Sequence, residues 1–237
     1  MTKTLDLLTK YNFKETIIFQ QIIDDLRKGK SIVHITNFPI SDNDLSTFIN
    51  QIGSPIHEYR NNDQKAIFDV RIYKQNNYFK SIANSNLAFP LHTDCADFES
   101  VPNCIGLLCV EPALNMQGIN SFSSVEDIFK KIPRKKLNEL KTKNWKFRNR
   151  LKPIFQKNRE NITVCYDRIT IESFSKNNKE EIEELNRLDK LFEENSFQIM
   201  LRKGDLILFR NDLFLHGRSS FEANSKRLIK RIRFDIK

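Results

Sequence analysis

Apolar residues recur at helical spacing between positions 14 and 28, with Ile17, Ile18, Ile22 and Leu26 on one stripe, and this pattern predicts an N-terminal helix. The run from Ser31 to Phe38 is short and β-branched, ends at Pro39, and reads as a strand. Next comes a second helix. Ser41 or Asp42 caps it, Leu45, Phe48, Ile49 and Ile52 share a face, and Gly53 followed by Pro55 stops it. Residues 66–71 and 105–110 read as strands. A further helix starts after Ser123 or Ser124, with Glu126 and Asp127 suited to its first turn and Pro133 closing or kinking it. Residues 161–166 predict a strand and residues 179–192 a helix whose stripe is Ile182, Leu185, Leu188, Leu191 and Phe192. The chain then returns to strands at 205–209, 213–215 and 227–236. Helices at the front and irregularly spaced strands behind them predict one α+β domain, residues 1–237, built on a sheet sandwich or barrel.

Composition narrows this picture. The 237 residues are 39% hydrophobic and 29% charged, which suits a folded chain rather than a disordered one. No run approaches the roughly 18 apolar residues of a spanning helix, so no membrane partner is expected. The first thirty residues lack the layout of a signal peptide. The four cysteines, Cys95, Cys104, Cys109 and Cys165, form neither a CxxC pair nor a dense framework. Reduced thiols in a cytoplasmic protein are the simplest reading.

Net charge changes the picture again. The chain carries +9, which invites a nucleic-acid reading. Its distribution weakens that reading. Between Lys130 and Arg159 there are thirteen Lys or Arg and one acid, Glu139, so this segment carries +12 of the +9 total and leaves −3 elsewhere. Trp145, Phe147 and Phe155 lie among these basic residues, where they either stack on nucleic acid or pack beneath a solvated basic insert; packing is the expectation.

The chain has four histidines, His34, His57, His92 and His216. Only His92 has an acid two residues on, in His92-Thr93-Asp94. Along a strand, residues i and i+2 share a face about 6–7 Å apart, so an imidazole and a carboxylate converge there. A second histidine from a distant strand, for which His216 before Gly217 is the candidate, would complete a 2-His-1-carboxylate triad with open positions on Fe(II). The triplet alone is weak, because an ordinary hydrogen-bonded histidine explains it equally. The C-terminal strand adds weight. Under period two, Leu228, Ile232, Phe234 and Ile236 fall on one face, and Arg227, Arg231 and Arg233 on the other. Strand residues four apart are separated by about 13 Å, so Arg227 and Arg231 can serve two neighbouring anions, and arginine suits bidentate capture of carboxylates.

Several segments in order carry a family likeness: residues 84–94 through His92-Thr-Asp94, residues 106–113, Gly118 with Ser124, residues 204–209, His216-Gly-Arg218 and Arg227-Leu-Ile-Lys-Arg231. Together they resemble the Fe(II)/2-oxoglutarate-dependent dioxygenases of the taurine dioxygenase and clavaminate synthase-like group. The likeness is good over 84–125 and 203–234 and patchy over 1–80. It implies a double-stranded β-helix, or jelly-roll, core with flanking helices. It also implies that His92, Asp94 and His216 ligate iron, that Arg227 pairs with the distal carboxylate of 2-oxoglutarate, and that Arg231 takes a substrate anion. Where the family usually shows Gly-Gly-x-Thr or Gly-Gly-x-Ser, this chain has Gln117-Gly-Ile-Asn120, so Asn120 or the adjacent Ser121 would stand in for the cosubstrate-binding hydroxyl. Related halogenases replace the acid with Ala or Gly; Asp94 therefore points to hydroxylation using O2, with desaturation or ring closure as variants.

The favoured expectation is hydroxylation of a small molecule, a free amino acid or similar metabolite, with Arg231 on its carboxylate and Asp167 near its amino or side-chain end. Arg168 and Asp167 also suit a plain turn salt bridge. Two alternatives remain open at this point: a nucleic-acid- or protein-directed oxygenase or demethylase using residues 130–159, and a non-catalytic barrel. Cys95 reads as a buried inert thiol. His34, His57 and the oligomeric state receive no assignment.

Overall fold

In a computed structural model of the chain, two β-sheets share one apolar core; the structure describes residues 7–57, 65–75, 78–79, 81–158 and 161–237. The N-terminal part runs β1 (Leu8–Asn12), α1 (Phe19–Lys28), β2 (Ile32–Thr36), α2 (Asp42–Ile52), β3 (Gly53–Pro55) and β4 (Ile67–Val70). Two-residue strands β5 (Lys74–Gln75) and β6 (Tyr78–Phe79) precede β7 (Phe89–His92), β8 (Cys104–Glu111) and β9 (Asn120–Ser124). The middle holds α3 (Val125–Phe129), α4 (Arg134–Thr142), the hairpin β10 (Asn144–Phe147) and β11 (Arg150–Pro153), and the hairpin β12 (Phe155–Asn158) and β13 (Asn161–Val164). Helices α5 (Arg168–Phe174) and α6 (Lys179–Glu194) lead into β14 (Ser196–Ile199), β15 (Leu206–Arg210), β16 (Phe214–Arg218) and β17 (Leu228–Ile236). The mixture of helices and sheets is the expected α+β class.

The larger sheet has seven strands in the order β1-β2-β15-β8-β17-β3, with β4 also on β17; the smaller has four, β14-β9-β16-β7. Strand alternation decides what each face touches. On β8, Cys104 and Leu108 face α1 and α2, while Ile105, Leu107 and Cys109 face the core between the sheets. On β15, Leu206 and Leu208 face the helices, and Ile207 and Phe209 the inter-sheet core. Strand β17 follows the same rule with Ile232 and Phe234 against the helices. Its other face carries Arg231 and Arg233 where hydrocarbon would be expected. That substitution of charge for core is what turns one region of the sandwich into a site.

Helix α1 starts five residues later than the periodicity predicts, because Phe13 to Ile18 return the chain from β1, which pairs in parallel with β2. Ser41 caps α2 as expected, its side chain accepting the Asp44 N–H. Pro133 ends the α3 turn and opens α4 rather than closing the helical region. Helix α6 begins with a capping box between Asn178 and Glu181.

The basic segment forms α4, the β10–β11 hairpin and β12 within a layer that covers the smaller sheet; Arg159 lies outside the described residues. Trp145, Phe147 and Phe155 are buried in that layer with Leu185, Leu188 and Phe192 of α6, and offer no face to a nucleic-acid base. Its charges are partly answered internally: Lys136 and Lys143 both bind Glu184 of α6. All four cysteines are buried thiols outside any disulfide. Among the described residues, no helix is long and apolar enough to cross a membrane.

Candidate metal and anion site

His92 is the last residue of β7, and His216 lies directly opposite it on β16. The pairing brings their ring centroids to 4.3 Å. The two strands come close at Gly217, where a side-chain carbon would lie 2.7 Å from the Phe89 carbonyl oxygen. Asp94 arrives by a different route from the alternation expected of His-x-Asp. The strand ends at His92, and Asp94 sits in the following turn. Thr93 anchors that turn to Tyr166, donating its N–H to the Tyr166 carbonyl at 2.6 Å and accepting the Tyr166 N–H at 3.1 Å. The Asn211 side chain braces the Asp94 backbone at both its N–H and its carbonyl. Cys95, at φ 58°, completes the turn and lines the cavity as a buried thiol.

One ligand atom from each of His92, Asp94 and His216 lies within 4.8 Å of the others, and all three residues are buried. His92 Nδ1 lies 2.9 Å from the Pro90 carbonyl, to which it donates, so Nε2 is the ring nitrogen turned to the site. The ring also stacks on Phe89 at 3.8 Å. Nε2 faces Asp94 Oδ1 at 3.5 Å and has no hydrogen-bond partner among the described residues. An imidazole nitrogen and a carboxylate oxygen so placed, with a His216 nitrogen in reach, are the ligand atoms a divalent cation takes. The donor set and this arrangement therefore fit a metal ion.

The electrostatics agree. Burial alone would raise the Asp94 carboxyl; the Arg231 guanidinium, helped by His92 and His216, holds it well below the usual carboxylate range. Burial, with the neighbouring His92, lowers His216 to about 3, so its imidazole is neutral and available as a ligand at physiological pH.

Arginines of β17 and of the loop before it line the same cavities. Arg227 is 4% exposed, its Nη1 has no hydrogen-bond partner among the described residues, and burial beside Arg218 lowers it to about 10, still charged at neutral pH. Arg218 is instead pinned to the Ser85 and Leu87 carbonyls, and the Phe221 ring lies beside both guanidiniums. Gly118, at φ 62°, leaves room for Arg227: a side-chain carbon there would meet Arg227 Nε at 2.9 Å. Asn120 lines this cavity beside His216 and Arg227. Ser121, the next residue on β9, points to the opposite face and does not line it.

Arg231 lines both this cavity and a larger one of about 390 Å³. Its Nη1 lies 3.2 Å from each Asp94 oxygen, and its Nε is buried without a partner among the described residues. Arg233 joins it, with Nε 3.1 Å from Asp94 Oδ2. The far end of the larger cavity is lined by Asp97, Arg148, Asp167, Thr170 and Phe174. Asp167, expected near the substrate, lies on this cavity wall and has a second, local task. Its carboxylate caps α5, accepting the N–H groups of Ile169 and Thr170 and the Thr170 hydroxyl, so little of it is left for a ligand. Arg168 does not use its neighbour as a turn partner; it pairs with Asp189 of α6 and Glu172 of α5. His34 lies 3.3 Å from Asp205, far along the chain from the site.

Sequence reasoning assigned no role to Arg233, Asn211 or Asp97. Strand parity had placed Arg233 on the same face as Arg231, which was the available signal. Asn211 and Asp97 carry none, because their roles depend on a fold that brings distant turns together.

The sequence matches the profile of the taurine catabolism dioxygenase TauD, TfdA family over residues 2–233. No curated protein matches the chain in sequence. Similar solved structures include asparagine oxygenase, at 13% identity with a TM-score of 0.73 over 92% of this chain and 78% of that one. PvcB from Pseudomonas aeruginosa is 18% identical, with a TM-score of 0.72 over 96% and 84% of the two chains. A taurine dioxygenase from Burkholderia xenovorans is 12% identical, with a TM-score of 0.73 over 98% and 87%. At these identities the likeness establishes a shared fold.

Proposed function

Because the chain belongs to the TauD/TfdA dioxygenase family, we propose that it is an Fe(II)- and 2-oxoglutarate-dependent oxygenase that hydroxylates an unactivated C–H of a free amino acid or amino-acid-like metabolite. The observation that carries this reading is His92 Nε2 facing Asp94 Oδ1, with the buried Arg227 and Arg233 and the half-buried Arg231 on the adjoining wall. His92, Asp94 and His216 hold the iron. When iron and 2-oxoglutarate are bound they supply the oxidising chemistry: O2 is consumed, 2-oxoglutarate becomes succinate and CO2, and one oxygen atom enters the substrate C–H bond.

The chain's own residues bind, orient and exclude water. Arg227 takes the distal carboxylate of 2-oxoglutarate, since its buried Nη1 needs an acceptor, and Asn120 lines the same pocket. Arg231 takes the substrate anion at the junction of the two cavities. Phe89, stacked on His92, and Phe68, against Arg231, keep the neighbouring surface apolar. We read the whole chain as one such domain, with 130–159 as its insert. Successive strands β7, β8 and β9, and later β14 to β17, alternate between the sheets in a way that supports a double-stranded β-helix core.

Two structural relatives support the substrate class. Asparagine oxygenase has been solved with Fe(II), 3-hydroxyasparagine and succinate, and the oxygenase OrfP with hydroxy-L-arginine. The test is anaerobic binding of 2-oxoglutarate and of an amino-acid panel to the Fe(II)-loaded protein. Arg231→Ala is expected to weaken the amino acid and leave 2-oxoglutarate unchanged. Equal weakening of both ligands would overturn the division of roles, and no response to any amino acid would shift weight to a macromolecular substrate.

A further inference from the structure

We propose that Arg233 is a positioning residue that holds Oδ2 of Asp94, so that Oδ1 stays turned to the metal and Arg231 is free to leave for the substrate. The proposal rests on the reading of His92, Asp94 and His216 as metal ligands.

A carboxylate on a turn can rotate about its last bond, and a ligand that rotates presents its oxygen to the metal only part of the time. Something must fix that rotation. Oδ1 is the oxygen that faces His92 Nε2, at 3.5 Å. Oδ2 is the oxygen to which Arg233 Nε donates, at 3.1 Å. Arg231 cannot supply this discrimination, because its Nη1 is equidistant from both oxygens at 3.2 Å.

The two arginines also differ in freedom. Arg233 is 8% exposed, and its backbone is fixed on both sides, opposite Ile105 in the β8 register and through its carbonyl to the Ile56 N–H at 2.8 Å. Of these two cavities it lines the larger, whereas Arg231 lines both and rests its guanidinium on the Phe68 ring at 5.0 Å. Two guanidiniums on one carboxylate leave an excess of one positive charge. If Arg231 turned to a substrate anion with no second partner in place, the metal would still pair Oδ1 but Oδ2 would be left buried without a donor, an unfavourable state. With Arg233 in place, Arg231 can exchange partners while Oδ2 keeps its hydrogen bond. Outer partners that orient metal ligands in this way are worth roughly 10–100-fold in metal affinity.

The experiment is Co(II) titration of the full chain without 2-oxoglutarate or substrate, by calorimetry and by the visible ligand-field spectrum of the bound ion. Thermal unfolding of each variant without metal serves as the folding control. Arg233→Gln is expected to fold, to weaken Co(II) roughly 10–100-fold and to alter the spectrum. Arg231→Gln is expected to lose clearly less Co(II) affinity than Arg233→Gln and to keep the parent's spectrum. If Arg233→Gln does not fold, Arg233→Met, of similar size and without a donor, carries the same expectation. A folded Arg233 variant with the parent's affinity and spectrum would overturn the proposal, as would an Arg231→Gln variant that loses as much as Arg233→Gln. His92→Ala separates this from the underlying reading. If it too leaves Co(II) binding intact, the metal-site assignment is wrong; if it abolishes binding while the Arg233 variants do not, only the positioning role fails.

Discussion

Asn211 holds the backbone of Asp94 from both sides. Its Oδ1 accepts the Asp94 N–H at 2.9 Å, and its Nδ2 donates to the Asp94 carbonyl at 3.0 Å and to the Pro102 carbonyl at 2.9 Å. It is fully buried and lies just after β15, so the turn carrying the acid is fastened to the connection that leads from β15 into β16, the strand carrying His216.

Removing that brace strands three buried backbone groups. At about 1–3 kcal/mol for each unsatisfied group, partly relieved by relaxation, Asn211→Ala is expected to destabilise the protein by about 3 kcal/mol. For a chain of this size that is a fall in Tm of about 6–12 °C. Thermal unfolding followed by circular dichroism checks this, and an unchanged midpoint would mean that the Asp94 turn is held by other contacts.

Arg227→Gln is expected to raise KM for 2-oxoglutarate by roughly 10–100-fold, the equivalent of about 1.5–3 kcal/mol for a hydrogen bond to a charged group. Because the distal carboxylate is bound alike in the ground and transition states, kcat should change little. Steady-state kinetics with 2-oxoglutarate as the varied substrate reads both quantities.

Gly118→Ala should give a milder form of the same defect. An alanine at φ 62° is strained by about 1–2 kcal/mol, and its methyl group would push on Arg227 Nε. The expected outcome is a weaker 2-oxoglutarate affinity together with a small loss of thermal stability, whereas Gly118 substitutions that leave affinity unchanged would show that Arg227 is positioned independently of this turn.

Away from the site, Glu184 is 7% exposed and clamps the basic segment to α6 through Lys136 at 2.6 Å and Lys143 at 2.9 Å. Burial would raise its carboxyl, but the two lysines lower it below the ordinary glutamate value of about 4.3. A carboxyl depressed in the folded state contributes stability above its unfolded pKa and loses it as pH falls through the folded one. Glu184→Gln is therefore expected to destabilise the protein by about 1–3 kcal/mol at pH 7, with the difference from the parent shrinking as the pH drops below about 4.3. Denaturant unfolding at several pH values measures that difference.

The parts of this architecture that were legible in the sequence are those written in local periodicity. The α2 face of Leu45, Phe48, Ile49 and Ile52 is buried as its spacing predicts. The split of β17 into an apolar side and an arginine side follows from alternation alone. His92 and Asp94 could be found because they are two residues apart, although the turn that joins them was not foreseen. β1, with Thr9, Lys10 and Asn12 along it, has too little apolar contrast to mark it as a strand; only its pairing with β2 makes it one. The cap that Asp167 makes was not legible, because the sequence does not mark a helix start at Arg168. Asn211 and Arg233 reach Asp94 across 117 and 139 residues, and no local pattern records contacts of that kind.

The most direct measurement of the central claim is succinate formation from 2-oxoglutarate by the purified protein, with and without Fe(II), in the parent and in His92→Ala. The account predicts O2-dependent succinate release that requires Fe(II), increases with a matching amino acid, and is lost in His92→Ala. Succinate release that survives His92→Ala, or its absence from the Fe(II)-loaded parent with every amino acid supplied, would contradict it.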